Sequence, residues 1–420
     1  MRILQIANGD FFSTYGGGQV YVKNLVDEMI NQKLNVTVIS FVGKQKISIE
    51  KKQYRSLDLF EVSKNNHCVV SELIGEIAPD IVHAHAEKSF IATICKSLSI
   101  PCVITAHHGG IVDPAGTLMT YQDKIRTEPI SHKSSLPDVL NNIRGGLFFY
   151  PILKHIPLSW RSKLGHLLSK LPFIYFVTPI GMTSLSIERK MKEWHSIVEN
   201  VDIMIAPSEA IADAMVLNGM PKEKIRIIRH GIPKSLIGTT PVDSRNRSLK
   251  FFYVGRISHI KGIHILLKAF VELESSGCEL HLIGDIRNDY ARSLAREYRK
   301  YKQIFFHGKI APENVMNCIR PFDVLVHPTI CMEIYGLNIA EALSVGKPVI
   351  ATRCGGAEMQ IEDRKNGLLV EPNNVNALKE AMMWMLEHPE ERVRMSRNAS
   401  KDVVSIEEHV NSLLNIYQNR

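Results

Sequence analysis

The chain has 420 residues, 45% hydrophobic and 22% charged, the balance of an ordinary globular protein. That length is too great for one core and argues for two or three domains. Lys plus Arg exceed Asp plus Glu by 51 to 43, which favours anionic partners such as nucleotides, acidic glycans or lipid headgroups; nucleic acid is disfavoured, because no basic helix, zinc-finger spacing or RNA-binding aromatic motif is present.

The N-terminus turns polar by Asn8-Gly-Asp10, so it reads as a first strand and not as a signal peptide. Strands are expected at Ile3–Ala7, Val36–Ser40, Ile81–His83, Val103–Thr105, Ile203–Ala206 and Ile225–Ile228, with an amphipathic helix from Gln19 to Gln32 carrying Val22, Leu25, Val26 and Met29 on one face. Gly16-Gly17-Gly18 precedes that helix, where a bare backbone can approach a sugar or phosphate. Tyr21 stands where a dinucleotide fingerprint needs its third glycine, which argues against such a site. His83-Ala-His85 has poor zinc spacing and reads as a pair of structural or cleft-lining histidines. Thr105-Ala-His107-His108-Gly109 ends a strand and opens a loop, where catalytic groups concentrate.

From Ile111 to about Glu193 the chain carries an insertion relative to a minimal α/β unit. Between Asp138 and Glu188 it has no acidic residue, but it has Arg144, Lys154, Arg161, Lys163, Lys170, Trp160, and the apolar groups Leu147-Phe-Phe-Tyr150 and Phe173-Ile-Tyr-Phe176. Bases mixed with aromatics suit the boundary of an anionic membrane; the competing expectation is that the apolar groups pack into the core. The longest uncharged stretch, Leu171 to Ile187, is broken by Pro172, Pro179 and Gly181 and does not read as a spanning helix. Seven scattered cysteines without Cys-x-x-Cys read as free thiols in a reducing compartment. The expected location is the cytoplasm, at the inner face of the membrane if the insertion docks there.

The polar, aperiodic run from Ser235 to Ser248 marks a linker. Residues 1–235 and 250–400 then form two domains, joined by 236–249 and followed by a terminal helix within 401–420. Strands at Phe251–Val254, Leu280–Ile283, Ile304–Phe306, Val324–Val326 and Val349–Ala351 alternate with helices such as Gly262 to Glu274 and Val375 to Leu386. The pattern is α/β: two doubly wound parallel sheets, with ligands expected at the carboxyl ends of the strands.

The most informative segment follows the fourth of these strands. Glu333 and Glu341 stand eight apart, and Gly336 lies between them at a strand-to-helix turn before the helix Leu337–Val345. Unpaired N–H groups at such a helix start favour a phosphate. A carboxylate before the turn and another behind it suit a ligand with a diphosphate in its middle and hydroxyls at its end, such as a nucleotide-sugar. Arg256 and Lys261 follow the first strand of the second domain, flanked by Gly255 and Gly262, and can neutralise a diphosphate. No Asp-x-Asp pair is present to hold a divalent ion.

Together these segments resemble glycosyltransferase family 4, retaining enzymes of the GT-B fold. Glu333 to Glu341 resembles its E-x7-E signature, and Gly255-Arg256 with Lys261-Gly262 its GR…KG element; Gly355-Gly356 and Asn366-Gly-Leu-Leu-Val370 follow in order, as do Gly16–Gly18, His83–His85 and Thr105–Gly109 upstream. The resemblance covers about three quarters of the chain and implies transfer of a sugar, with retention and without metal or other cofactor, from a nucleoside-diphosphate-sugar to a glycan or lipid-linked acceptor. It implies that Glu341 binds ribose and that Arg256, Lys261 and the backbone of Gly336 and Leu337 bind diphosphate. Glu333 and His107 would hold the transferred sugar, and Gly17 and Gly18 would lie near the donor. Thr-x-His spacing selects His107 and His-Gly spacing His108. It also implies that the terminal helix crosses back to the first domain. Two departures stand out: Met359 occupies the family's glutamate position with Glu358 one step early, and Gly284-Asp285-Ile286 replaces Gly-Asp-Gly. A sugar-nucleotide epimerase of the same fold and a silent nucleotide- or glycan-binding protein are the competing classes.

Overall fold

A computed structural model describes all residues except 13–15, 44–48, 64–66, 144, 170–177, 239–247, 275–276 and 420. Contacts divide the chain into two compact units: Met1–Asn8 with Asn35–Ile227, and Gly9–Leu34 with Ile228–Arg420.

The first unit holds β1 (Arg2–Asn8), β2 (Asn35–Val42), β3 (Ile49–Tyr54), β4 (Leu57–Ser63), β5 (Ile81–Ala84), β6 (Cys102–Thr105), β7 (Ile203–Ala206) and β8 (Ile225–Ile227). Their order in the sheet is β3-β4-β2-β1-β5-β6-β7-β8, and every pair is parallel except β3 with β4. Central strands buried on both faces explain why β1, β5 and β6 are mostly apolar, their buried Gln5, His83 and Thr105 being hydrogen-bonded. The β3–β4 hairpin was not expected from the sequence. Its outer strand is polar and exposed, as an edge strand should be, and Lys52 pairs across it with the buried carboxylate of Glu61 at 2.7 Å.

The second unit holds β9 (Leu249–Val254), β10 (Cys278–Ile283), β11 (Ile304–Gly308), β12 (Val324–His327), β13 (Val349–Thr352) and β14 (Gly367–Val370), all parallel, in the order β11-β10-β9-β12-β13-β14. This is a doubly wound sheet whose order reverses between β9 and β12, the place where such folds bind ligands.

The border between units falls after Ile227, ahead of the expected linker, most of which lies outside the described residues. The helix Gly17–Asn31, assigned from sequence to the first domain, groups instead with the second unit. The reason is a long-range contact: the terminal helix Ile406–Gln418 packs on it. Tyr21 Oη donates to His409 Nε2 at 2.7 Å, and His409 Nδ1–H donates to the Arg229 carbonyl at 2.8 Å, which fixes the tautomer.

Candidate functional site

The site in the second unit is built at the ends of β9 and β12. After β12 the chain runs through Pro328 to Gly336 and enters the helix Leu337–Ser344. Two backbone bridges hold Glu333 against the turn after β13: its N–H donates to the Cys354 carbonyl (2.8 Å), and its carbonyl accepts from Gly356 N–H (2.7 Å). A Cβ on Gly356 would collide with the Tyr335 backbone, so glycine is required for this approach. On the other side Ile330 N–H and Thr329 Oγ1 both donate to the Ile260 carbonyl, at 3.0 and 3.1 Å. Gly262, at φ +67°, lets that turn touch the Pro328 carbonyl.

These supports bring Lys261 and Glu333 together as an ion pair. Burial alone would raise the Glu333 carboxyl, but the Lys261 ammonium and the His327 ring outweigh it and hold the group well below the usual carboxylate range. Burial likewise opposes the Lys261 charge, and Glu333 more than compensates. The pair is therefore fully ionised at neutral pH.

His327 and Asn338 belong to the site and were missed in the sequence. Asn338 Nδ2 donates to the Val254 carbonyl (2.8 Å) and lies 3.1 Å from His327 Nδ1. A carbonyl can only accept, so the atom there is the amide NH2, and His327 Nδ1 must be its acceptor. The proton of this buried, neutral ring is then on Nε2, which donates to Glu333 Oε2 at 3.2 Å. One chain of hydrogen bonds thus links β9, β12, the helix start and Glu333.

Past Gly336, the N–H groups of Leu337 and Asn338 find no acceptor among the described residues, and the helix has no side-chain cap. Glu341 lies one turn further along. Burial raises its carboxyl to about 7, and no described residue bonds to it. Arg256 is exposed at the end of β9; its carbonyl accepts from Tyr253 Oη (2.8 Å), while no hydrogen bond or ion pair ties its guanidinium to a described residue. At the ends of β10 and β11 opens a cavity of about 860 Å³, lined by Asp285, Arg287, Lys309, Pro312, Phe12 and Lys23 among others. In the departures from the family pattern, Asp285 is engaged by Arg287 (2.6 Å) and Glu358 accepts from Gly355 N–H (3.1 Å). Gly17 and Gly18 open the helix Gly17–Asn31, with empty space around Gly17.

In the first unit, Gln5 Oε1 accepts from His85 Nε2 (2.9 Å), which leaves His85 Nδ1 to accept from His107 Nε2 (2.9 Å). His107 is thereby oriented by a buried relay, and His83 bonds separately to Thr105 Oγ1 (2.7 Å). His108 points elsewhere, to the mouth of a second cavity.

Two family models match the chain, "Glycosyltransferase Family 4" over residues 15–133 and "Glycosyl transferases group 1" over 241–402. The chain belongs to glycosyltransferase family 4. Its fold is GT-B: the structure aligns over its whole length with that of Anabaena Alr3699/HepE in complex with UDP, at a TM-score of 0.69 and 16% identity, covering 100% of each chain. It also aligns with WaaG, a glycosyltransferase involved in lipopolysaccharide biosynthesis, at a TM-score of 0.63 and 15% identity, over 100% of each. Among curated relatives, the D-inositol 3-phosphate glycosyltransferase of Corynebacterium urealyticum is 27% identical over 53% of this chain and 58% of its own. The putative colanic acid biosynthesis glycosyltransferase WcaL of Escherichia coli is 26% identical over 45% and 49%. The chain thus spans about half the length of these two relatives.

Proposed function

We propose that the protein is a retaining glycosyltransferase that moves a sugar, without a metal ion, from a nucleoside-diphosphate-sugar to a hydroxyl of a glycan or lipid-linked acceptor in cell-surface polysaccharide or glycolipid synthesis. The observation that carries this reading is the state of Glu341. A half-buried carboxylate without a bonded partner among the described residues is costly, and ribose hydroxyls would supply the missing donors. One turn before it, the N–H groups of Leu337 and Asn338 suit the diphosphate, with Arg256 and Lys261 as counter-charges. Glu333 would face the transferred sugar, the tautomer of His327 fixing its orientation. His107 is the preferred active-site histidine because the His85–Gln5 relay anchors it, and Gly17 and Gly18 offer bare backbone to the donor. The cavity of about 860 Å³ has room for the nucleotide base. The chemistry asks mainly for stabilisation of the departing diphosphate, whose oxygen can take the acceptor's proton.

Association with an anionic membrane, from the cytoplasmic side, is part of the proposal. Phe148, Trp160, Ile152 and Leu167 are 79%, 71%, 61% and 59% exposed, beside exposed Lys154 and Lys163. Leu147, Phe149 and Tyr150 do pack on the buried Leu136, Leu140 and Ile187, so only part of the insertion joins the core. Arg144, Lys170 and Phe173–Phe176 lie outside the described residues. Among the described residues no helix is long and apolar enough to span a membrane.

The test is a thermal-shift panel of UDP-, GDP- and ADP-sugars in EDTA, followed by product analysis with and without acceptor. One donor should raise the melting temperature, by about 3 kcal/mol of stabilisation at a hundredfold excess over Kd. No response to any donor would refute the nucleotide site, and interconversion of sugar nucleotides without acceptor would indicate an epimerase.

A further inference from the structure

The first sheet also reverses its strand order, between β1 and β5. Past the C-terminal ends of these strands lies a cavity of about 470 Å³, whose wall includes Asn8, His85, Lys88, His108, Lys190 and Glu193. Lys88 opens the helix Lys88–Ser97, and the residue before it, Glu87, is left-handed (φ 44°, ψ 39°) and caps no N–H. The Lys88 ammonium is partly buried and makes no hydrogen bond or ion pair with a described residue. Lys190, on the helix Thr178–Asn200 that packs against it, pairs with Glu193 at 2.9 Å. Burial and the Lys190 charge lower Lys88 to about 7. Glu87 and Glu193 are the acidic groups of the wall, and Glu193 is already engaged by Lys190.

We infer that this cavity is a phosphate subsite for the acceptor, in which Lys88, Lys190 and the N–H groups at the start of the Lys88–Ser97 helix hold a phosphate of the molecule that receives the sugar. The inference rests on the proposed transfer reaction and names its acceptor class. Three observations converge on it: a switch-point cavity, an unpartnered cation inside it, and a helix start that favours phosphate. A bound dianion restores the proton to Lys88 and replaces Glu193 as the partner of Lys190. Such a phosphate could come from a soluble phosphorylated acceptor or from the diphosphate of a prenyl-linked one.

Calorimetric titrations at about pH 8 in two buffers of different ionisation enthalpy test this. The probes are inorganic phosphate, glycerol phosphate, and farnesyl diphosphate in detergent micelles. Wild type should bind with uptake of a proton, because Lys88 changes from mostly neutral to charged. Lys88→Met should weaken binding about tenfold and abolish the uptake. Lys88→Arg should restore affinity without uptake, since guanidinium is always charged. Lys190→Met should weaken binding and keep a smaller uptake, since burial still lowers Lys88 when the Lys190 charge is gone. Tighter binding of farnesyl diphosphate assigns the lipid-linked source, and tighter binding of glycerol phosphate the soluble one. The donor nucleotide should keep its affinity in every variant; its failure to bind wild type would refute the transfer reaction and not the subsite. Absence of phosphate binding at millimolar concentration, or an unchanged affinity and proton uptake in Lys88→Met, would overturn the inference.

Discussion

Replacing Glu341 with Gln should stabilise the ligand-free protein while weakening its grip on nucleotide. Burial raises this carboxyl from 4.5 to about 7, an interval worth about 3 kcal/mol at about 1.4 kcal/mol per pH unit. Partial exposure of the side chain screens this to about 1.5 kcal/mol. The folded state keeps the proton that the unfolded chain releases above 4.5, so stability falls as pH rises from 4.5 to 7, and the full cost applies above 7. Gln cannot ionise and escapes that cost. Without ligand, Glu341→Gln should melt about 2–3 °C higher than wild type above pH 7, with the gap closing toward pH 4.5. Saturating nucleotide should reverse the order, because ribose hydroxyls donate to a carboxylate more strongly than to an amide. The assay is a melting curve at several pH values, with and without the responsive nucleotide. Equal melting at pH 8 without ligand, or equal stabilisation by nucleotide, would refute the reasoning.

Lys261→Ala and Glu333→Ala should each destabilise by about 3 kcal/mol, since each leaves a buried charge alone, and the double variant should recover much of the loss; chemical denaturation of the cycle checks this, and additive losses would contradict it. Burial lowers His409 to about 4, so the folded state resists a proton that the unfolded chain takes up below 6.5. That stability, about 3 kcal/mol, is present above pH 6.5 and lost as pH falls toward 4, and His409→Phe should flatten the melting curve's pH dependence in that window. Wild type should sediment with anionic but not neutral liposomes, less so as salt rises, and Phe148→Ser with Trp160→Ala should abolish it; sedimentation unchanged in the variant would move the contact elsewhere.

The strand and helix around Glu333 and Glu341 were legible because buried parallel strands write unbroken apolar runs and Gly336 marks the turn. His327 was not, because the apolar run ends at Val326 and nothing local says that the next side chain points into a ligand site. Asn338 was hidden for a related reason: its partners, Val254 and His327, are 84 and 11 residues away. The outer hairpin strand Ile49–Tyr54 was missed because edge strands carry charges that erase the alternation. The grouping of Gly17–Asn31 with the second unit depends on its contact with the terminal helix, which no local pattern records. Lys88 likewise shows its character only through its cavity.

The central claim is a metal-free nucleotide site centred on Glu341 and the start of its helix. Isothermal titration of UDP, GDP and ADP in EDTA, into wild type and Glu341→Ala, tests it most directly. One nucleotide should bind wild type in EDTA and bind the variant at least about tenfold more weakly. Binding that appears only with magnesium or manganese, or an equal affinity for both proteins, would contradict the account.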